Sequence, residues 1–138
     1  MRVYLDSNIF IYALARQEPF AKEALNLLHS IESGTDIMAF SSTIIFGEVI
    51  GLGKSTTPMH NVHSFLQELP NFYTLPVTEG IAKSAGMLRQ KYGKSLRLPD
   101  AIHLASSMEH QALFVTADAR LLSVAEKLTK VRSLDTWK

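Results

Sequence analysis

Four acidic residues, far apart in the chain, each stand where a buried apolar segment meets the start or an early turn of an expected helix. They are Asp6 after Arg2-Val3-Tyr4-Leu5, Glu48 closing Ser41-Ser42-Thr43-Ile44-Ile45-Phe46-Gly47, Asp100 after Leu96-Arg97-Leu98-Pro99, and Asp118 after Ala112-Leu113-Phe114-Val115-Thr116-Ala117. Taken singly, Asp6, Asp100 and Asp118 have an ordinary explanation, because an aspartate at a helix start caps free N–H groups and suits the helix dipole. Glu48 has no such explanation. It lies among Ile44, Ile45, Phe46, Val49 and Ile50, where an ionised side chain is costly unless it finds a partner. Carboxylates converging on one place repel one another unless a hard cation neutralises them. Oxygen donors alone, with no Cys and no His required, suit Mg²⁺ or Mn²⁺ rather than Zn²⁺. Such ions bind phosphate oxygens, and the implied chemistry is metal-assisted hydrolysis of a phosphodiester or phosphomonoester.

For these acids to meet, the intervening elements must return them to one edge. Val3 to Leu5 reads as a short buried strand and Asn8 to Ala15 as the helix leaving it. Ala24, Leu25, Leu27, Leu28 and Ile31 recur at helical spacing over Ala21 to Ile31, with Gly34 as a C-terminal cap. Asp36 to Phe40 is a second strand, and Ser41, Ser42 and Thr43 are candidate caps for the helix that carries Glu48. Gly51 to Pro58 is the most loop-like stretch. A helix over Met59 to Leu69, a strand over Phe72 to Val77, and a helix over Glu79 to Tyr92 follow, the last capped by Thr78 and closed by Gly93. Pro99 suits the first turn of a helix reaching His110. Leu113 to Val115 is a strand, Asp118 to Lys127 a helix and Val131 to Leu134 a final strand. Nearly continuous apolar strands alternating with helices predict a mostly parallel sheet covered on both faces. In such a sheet Asp6 and Asp118, each just after a strand, emerge on one edge, and Glu48 lies within two turns of it. Asp100 opens a helix that precedes a strand, so packing alone can bring it there.

The chain has 138 residues and reads as one domain. Its hydrophobic fraction of 46% and charged fraction of 20% are those of a globular protein. No segment reaches the roughly 18 apolar residues of a membrane span, and no signal-peptide layout is present. The absence of cysteine removes disulfides, thiolate metal sites and thiol nucleophiles, and fits a cytoplasmic protein. The net charge of +1, from 14 basic and 13 acidic residues, neither demands nor excludes nucleic acid. Acids engaged by a metal would leave the remaining surface more basic, which favours an anionic substrate.

Val3-Tyr4-Leu5-Asp6-Ser7-Asn8, Ser42 to Glu48, Leu98-Pro99-Asp100-Ala101-Ile102-His103-Leu104-Ala105 and Val115-Thr116-Ala117-Asp118 together resemble the PIN domain in order and spacing, over nearly the whole chain. Within that family the chain looks most like ribonuclease toxins of the VapC type. The resemblance implies a five-stranded parallel sheet in an α/β/α sandwich and Mg²⁺- or Mn²⁺-dependent endonucleolytic cleavage of RNA. It implies Asp6, Glu48, Asp100 and Asp118 as the acidic quartet. Asp6 and Asp100 then bind the principal metal, Asp118 completes its shell, and Glu48 either orients the attacking water or holds a second ion. Thr116, two before the last acid, and Asn8, two after the first, match the family's polar positions. The resemblance also implies a homodimer and a cognate antitoxin protein.

Arg89, Lys91, Lys94 and Arg97 lead into Asp100. They either compensate a helix C-terminus or contact phosphates, Arg97 and Lys94 being nearest the site and Arg120 a further candidate. His60 and His63 lie within one helical turn but lack a third ligand, which favours a solvated face over a metal site. His103, three residues after Asp100 and on its helix face, is read as a packed histidine before a site contact. His29 and His110 carry no signal. Gly51-Leu52-Gly53-Lys54-Ser55 follows a helix and lacks the first glycine of a phosphate loop, so that motif is rejected. Two competing functions remain. A phosphatase of the haloacid dehalogenase type needs a second aspartate where Asn8 stands. A non-catalytic RNA- or protein-binding module would not need the intact quartet.

Overall fold

The alternation read from the sequence is realised in the computed structural model, which describes residues 1–34, 36–52 and 59–137, the side chains of residues 52 and 59–61 excepted. The order is β1 (Arg2–Leu5), α1 (Ser7–Leu14), α2 (Ala21–Glu32), β2 (Met38–Ser42), α3 (Ile44–Leu52), α4 (Met59–Glu68), β3 (Phe72–Leu75), α5 (Glu79–Tyr92), α6 (Leu98–Glu109), β4 (Leu113–Thr116), α7 (Ala119–Ala125) and β5 (Val131–Ser133). All five strands are parallel, in the order β3-β2-β1-β4-β5. Tyr4 of the central strand faces Phe40 on one side and Phe114 on the other.

Side chains alternate across the sheet, and each face has its own core. Val3, Leu5, Ala39 and Val115 pack with Ile9, Phe10, Leu27, Ile31, Ile45 and Leu66 from α1 to α4. Tyr4, Phe40 and Phe114 pack with Ile81, Ala85, Leu104 and Leu121 from α5 to α7. This is the expected three-layer α/β/α sandwich. Burying a large apolar side chain fully is worth roughly 1.5–3 kcal/mol, and Leu5, Ile9, Phe10, Leu104 and Phe114 are all at 0% exposure.

Element ends differ from the sequence reading by a few residues. β2 starts at Met38 because Asp36 turns through a left-handed backbone at φ 45. Ser41 and Ser42 therefore belong to the strand, and Ser42 Oγ accepts from Ile44 N at 3.4 Å from there. Gly34 adopts φ +75 just beyond α2, as a C-terminal glycine should. The helix bearing Glu48 runs on to Leu52; residues 53–58, which carry the rest of the expected loop and the rejected phosphate motif, lie outside the described residues.

The strand order has a functional consequence. The chain builds β1, β2 and β3 in one direction, then crosses to β4 and β5 on the other side of β1. Connections leaving β1 and β4 diverge, which opens a crevice at the carboxyl ends of those two strands.

Candidate active site

The crevice is built first by Asp6. Its backbone ends β1 with a hydrogen bond to Val115 O of 3.1 Å. Its Oδ1 caps α1 by accepting from Ser7 N at 2.8 Å, and its Oδ2 accepts from the Thr116 hydroxyl at 2.7 Å. Thr116 Oγ1 also accepts from Asn8 Nδ2 at 3.2 Å and from Asp118 N at 3.1 Å, while Asn8 Oδ1 accepts from Ala117 N at 3.4 Å. Asn8 and Thr116 thus stitch the end of β4 to the start of α1 with Asp6 between them. The Asp118 carboxylate is engaged locally, its Oδ1 accepting from Arg120 N at 2.9 Å and Leu121 N at 3.2 Å as the cap of α7.

A second set of contacts delivers Glu48 and Asp100. Tyr4, on the face of β1 opposite Val3 and Leu5, meets His103 Nδ1 through its hydroxyl at 2.8 Å. His103 is fully buried in α6, and its Nε2 meets Glu48 Oε1 at 2.5 Å and lies 3.9 Å from Asp6 Oδ1. Asp100 stands one turn earlier on α6. The Tyr4–His103 contact therefore does for Asp100 what parallel topology could not: it holds the start of α6 against the end of β1. Sequence reasoning gave His103 a packing role and passed over Tyr4. The available signals were the Asp100–His103 spacing of three and the lone hydroxyl inside an otherwise apolar strand.

Electrostatics mark the cluster as unusual. Asp6 is held above the ordinary carboxylate range by burial; the fields of His103 and the Thr116 hydrogen bond oppose this and Glu48 adds to it. Asp100 is raised by burial and then by the charge of Asp6, against the opposing Arg97. Burial alone would lower His103, but the Glu48 hydrogen bond and the charges of Asp6, Glu48 and Asp100 outweigh it and raise it. Burial likewise raises the Tyr4 hydroxyl. Two carboxylates kept from ionising freely, beside the buried imidazole of His103, form a site short of positive charge.

The donor chemistry fits Mg²⁺ or Mn²⁺: Asp6, Glu48 and Asp100 offer hard oxygens at one crevice. Among the described residues no three His, Cys, Asp or Glu side chains stand close enough, as placed, to grip one ion. Mg²⁺ does not require such a cage, since it keeps several waters and is held by one or two carboxylates.

Among the basic candidates, Arg97 lies at the site, its Nε 3.4 Å from Asp100 Oδ2 with the guanidinium largely exposed. Arg120 is exposed in the first turn of α7, beside Asp118. Lys94 is exposed on the 3-10 turn Gly93–Ser95, and its link to the site rests on sequence proximity. Lys91 lies over the Tyr92 ring at 5.5 Å. His63 packs on Phe46, His110 stacks on Phe40, and His29 pairs with Glu32 on the surface. The side chain of His60 lies outside the described residues.

The PIN domain family model matches residues 3–127, and the chain belongs to the PIN domain family. Several solved structures share the fold. A toxin–antitoxin complex from Klebsiella pneumoniae matches with a TM-score of 0.70 at 23% identity, over 96% of this chain and 97% of that one. VapBC2 from Rickettsia felis, bound to a promoter DNA fragment, matches with a TM-score of 0.71 at 15% identity, over 96% and 98%. The PIN domain endonuclease Utp24 matches with a TM-score of 0.57 at 18% identity, over 96% and 84%. The comparison with curated proteins gives no match. Among the described residues no helix is long and apolar enough to cross a membrane.

Proposed function

We propose that this chain is a Mg²⁺- or Mn²⁺-dependent endoribonuclease, acting as the toxin of a two-gene toxin–antitoxin pair. The observation that carries the reading is the approach of Asp6 and Glu48 to His103, one turn along α6 from Asp100, in a PIN domain. Family membership supports nuclease chemistry in general. The toxin–antitoxin complexes among the structural neighbours support the biological setting. In this reading Asp6 and Asp100 hold the ion, Asp118 completes its shell, and Glu48 serves the attacking water or a second ion. The bound cation supplies an acidified water and screens the phosphate charge. Thr116 and Asn8 keep Asp6 in place, and Arg97, Lys94 and Arg120 meet the RNA backbone.

The same reading calls for an antitoxin partner and a homodimer. Beside Glu48 lies an apolar hollow lined by Ile44, Gly47, Leu98, Pro99 and Ile102, with Leu98 49% exposed. Such a surface suits an apolar peptide segment laid across the site mouth.

The test is cleavage of single-stranded RNA by purified protein with Mg²⁺ or Mn²⁺, and with EDTA, beside Asp6→Asn and Asp100→Asn. Expected is cleavage that EDTA abolishes and that each variant lowers about 100-fold or more, beyond the 10–100-fold usual for outer-shell partners of a metal. RNA binding without turnover would favour the non-catalytic module, and phosphomonoester hydrolysis without RNA cleavage the phosphatase.

A further inference from the structure

We infer that His103 is a positioning residue for the hydrolytic site, held by Tyr4 so that its imidazole fixes the carboxylate of Glu48. The inference rests on the nuclease reading above and assigns roles that the acidic quartet leaves open.

The geometry is a line of three side chains from three elements, with Tyr4 and His103 buried and Glu48 partly exposed. The Tyr4 hydroxyl on β1 lies 2.8 Å from His103 Nδ1 on α6, and His103 Nε2 lies 2.5 Å from Glu48 Oε1 on α3. Tyr4 and His103 are both at 0% exposure, so water does not substitute for the contact between them. The phenol oxygen engages Nδ1, and the Nε2 proton is aimed at Glu48 whether the ring is neutral or charged. A hydrogen bond at one ring nitrogen selects the tautomer and orientation at the other. Behind Tyr4, Ser41 donates to Leu5 O at 2.9 Å, and Ser106 Oγ lies buried without a well-formed bond.

Packing alone does not account for His103. A leucine or phenylalanine would fill an apolar site on α6, where Ala101, Leu104 and Ala105 are its buried neighbours. Imidazole at full burial is favourable only when both nitrogens are satisfied, and the partner it satisfies is the one acid that capping cannot explain. One oxygen of Glu48 is thereby fixed. Without the imidazole, Glu48 on its short apolar helix loses the contact that holds its carboxylate among the described residues, and with it its alignment with Asp6 and Asp100.

The experiment measures kcat and KM on a fluorophore- and quencher-labelled random-sequence RNA at saturating Mn²⁺. The set is wild type, His103→Leu, His103→Gln, Tyr4→Phe, Glu48→Gln, and the double variant His103→Leu with Glu48→Gln, with melting temperatures recorded for all. Expected is a 10–100-fold fall in kcat for His103→Leu with KM changed less than about twofold. His103→Gln, whose amide can still donate to Glu48, should recover to within about threefold of wild type. The double variant should be no slower than Glu48→Gln alone, because the two side chains act as one unit. Tyr4→Phe, which keeps all ring packing, should lower kcat about threefold to tenfold, and it decides the matter if His103→Leu does not fold. Unchanged kcat in Tyr4→Phe, no recovery in His103→Gln, or a His103→Leu defect that persists in full on the Glu48→Gln background each overturns the inference. Wild-type protein inert on RNA under every metal condition overturns the nuclease reading itself, and the inference with it.

Discussion

Asp100 shows what the acidic cluster costs the fold. Its charge is penalised by burial and by Asp6, and it is opposed first by Arg97 and then by the charge of His103. The Arg97 side chain is 73% exposed, and an exposed pair of that kind is worth about 0.2–1 kcal/mol. Desolvation and repulsion therefore win. Asp100→Asn is expected to raise the melting temperature of metal-free protein by about 2–5 °C, while abolishing the stabilisation that saturating Mn²⁺ gives wild type, about 2.7 kcal/mol at a hundredfold excess over Kd. Thermal melts in EDTA and in Mn²⁺ check both; a variant that melts lower than wild type in EDTA refutes the argument. Activity and stability are opposed at such a residue.

At the scale of elements, local rules account for much of the architecture. Thr78 Oγ1 accepts from Ile81 N at 3.2 Å and α5 ends at Gly93, as spacing and capping chemistry indicate. Thr78→Ala is expected to destabilise by about 1 kcal/mol, read by urea denaturation; a change below about 0.3 kcal/mol would mean that the cap is replaced by solvent. Strand content, the parallel sheet and the edge on which Asp6 and Asp118 emerge are legible for the same reason: apolar runs and turn residues act within a few positions. The contacts that complete the site are not. Tyr4 and His103 are 99 residues apart, and no local pattern encodes which helix face lies over which strand. His103 reads as a packed residue because its neighbours on α6 are packed, and its partners come from β1 and α3. The start of β2 was misplaced because a left-handed Asp36 is as compatible with a strand start as with a turn until the register with β1 is known. Asp118 shows the opposite limit: the capping explanation available from its position describes its side chain in the structure, whatever further role it takes with a cation.

For the whole molecule, the shifted groups act in concert. The ionised forms of Asp6 and Asp100 are penalised in the folded state by burial first, so that cost is absent below their unfolded values near 4 and develops as pH rises through the folded ones. His103, despite burial, gains a proton more readily folded than unfolded because of Glu48 and its acidic neighbours. The stability it adds is full below about pH 6.5 and is lost as pH rises through its folded value. Both contributions fall in the same direction. Metal-free protein is expected to melt highest under mildly acidic conditions and progressively lower between about pH 5 and 8, with saturating Mn²⁺ flattening the decline. A melting temperature in EDTA that climbs across that range would contradict the assignment of these groups.

The central strand also determines when the molecule can act. β1 lies between β2 and β4, and the hydroxyl that steadies Asp6 belongs to Thr116, 110 residues further along. During translation the first acid leaves the ribosome long before the strand that completes its surroundings, and contacts of such long range form late in folding. A nascent chain therefore cannot complete the surroundings of Asp6 until almost all of this fold has been synthesised.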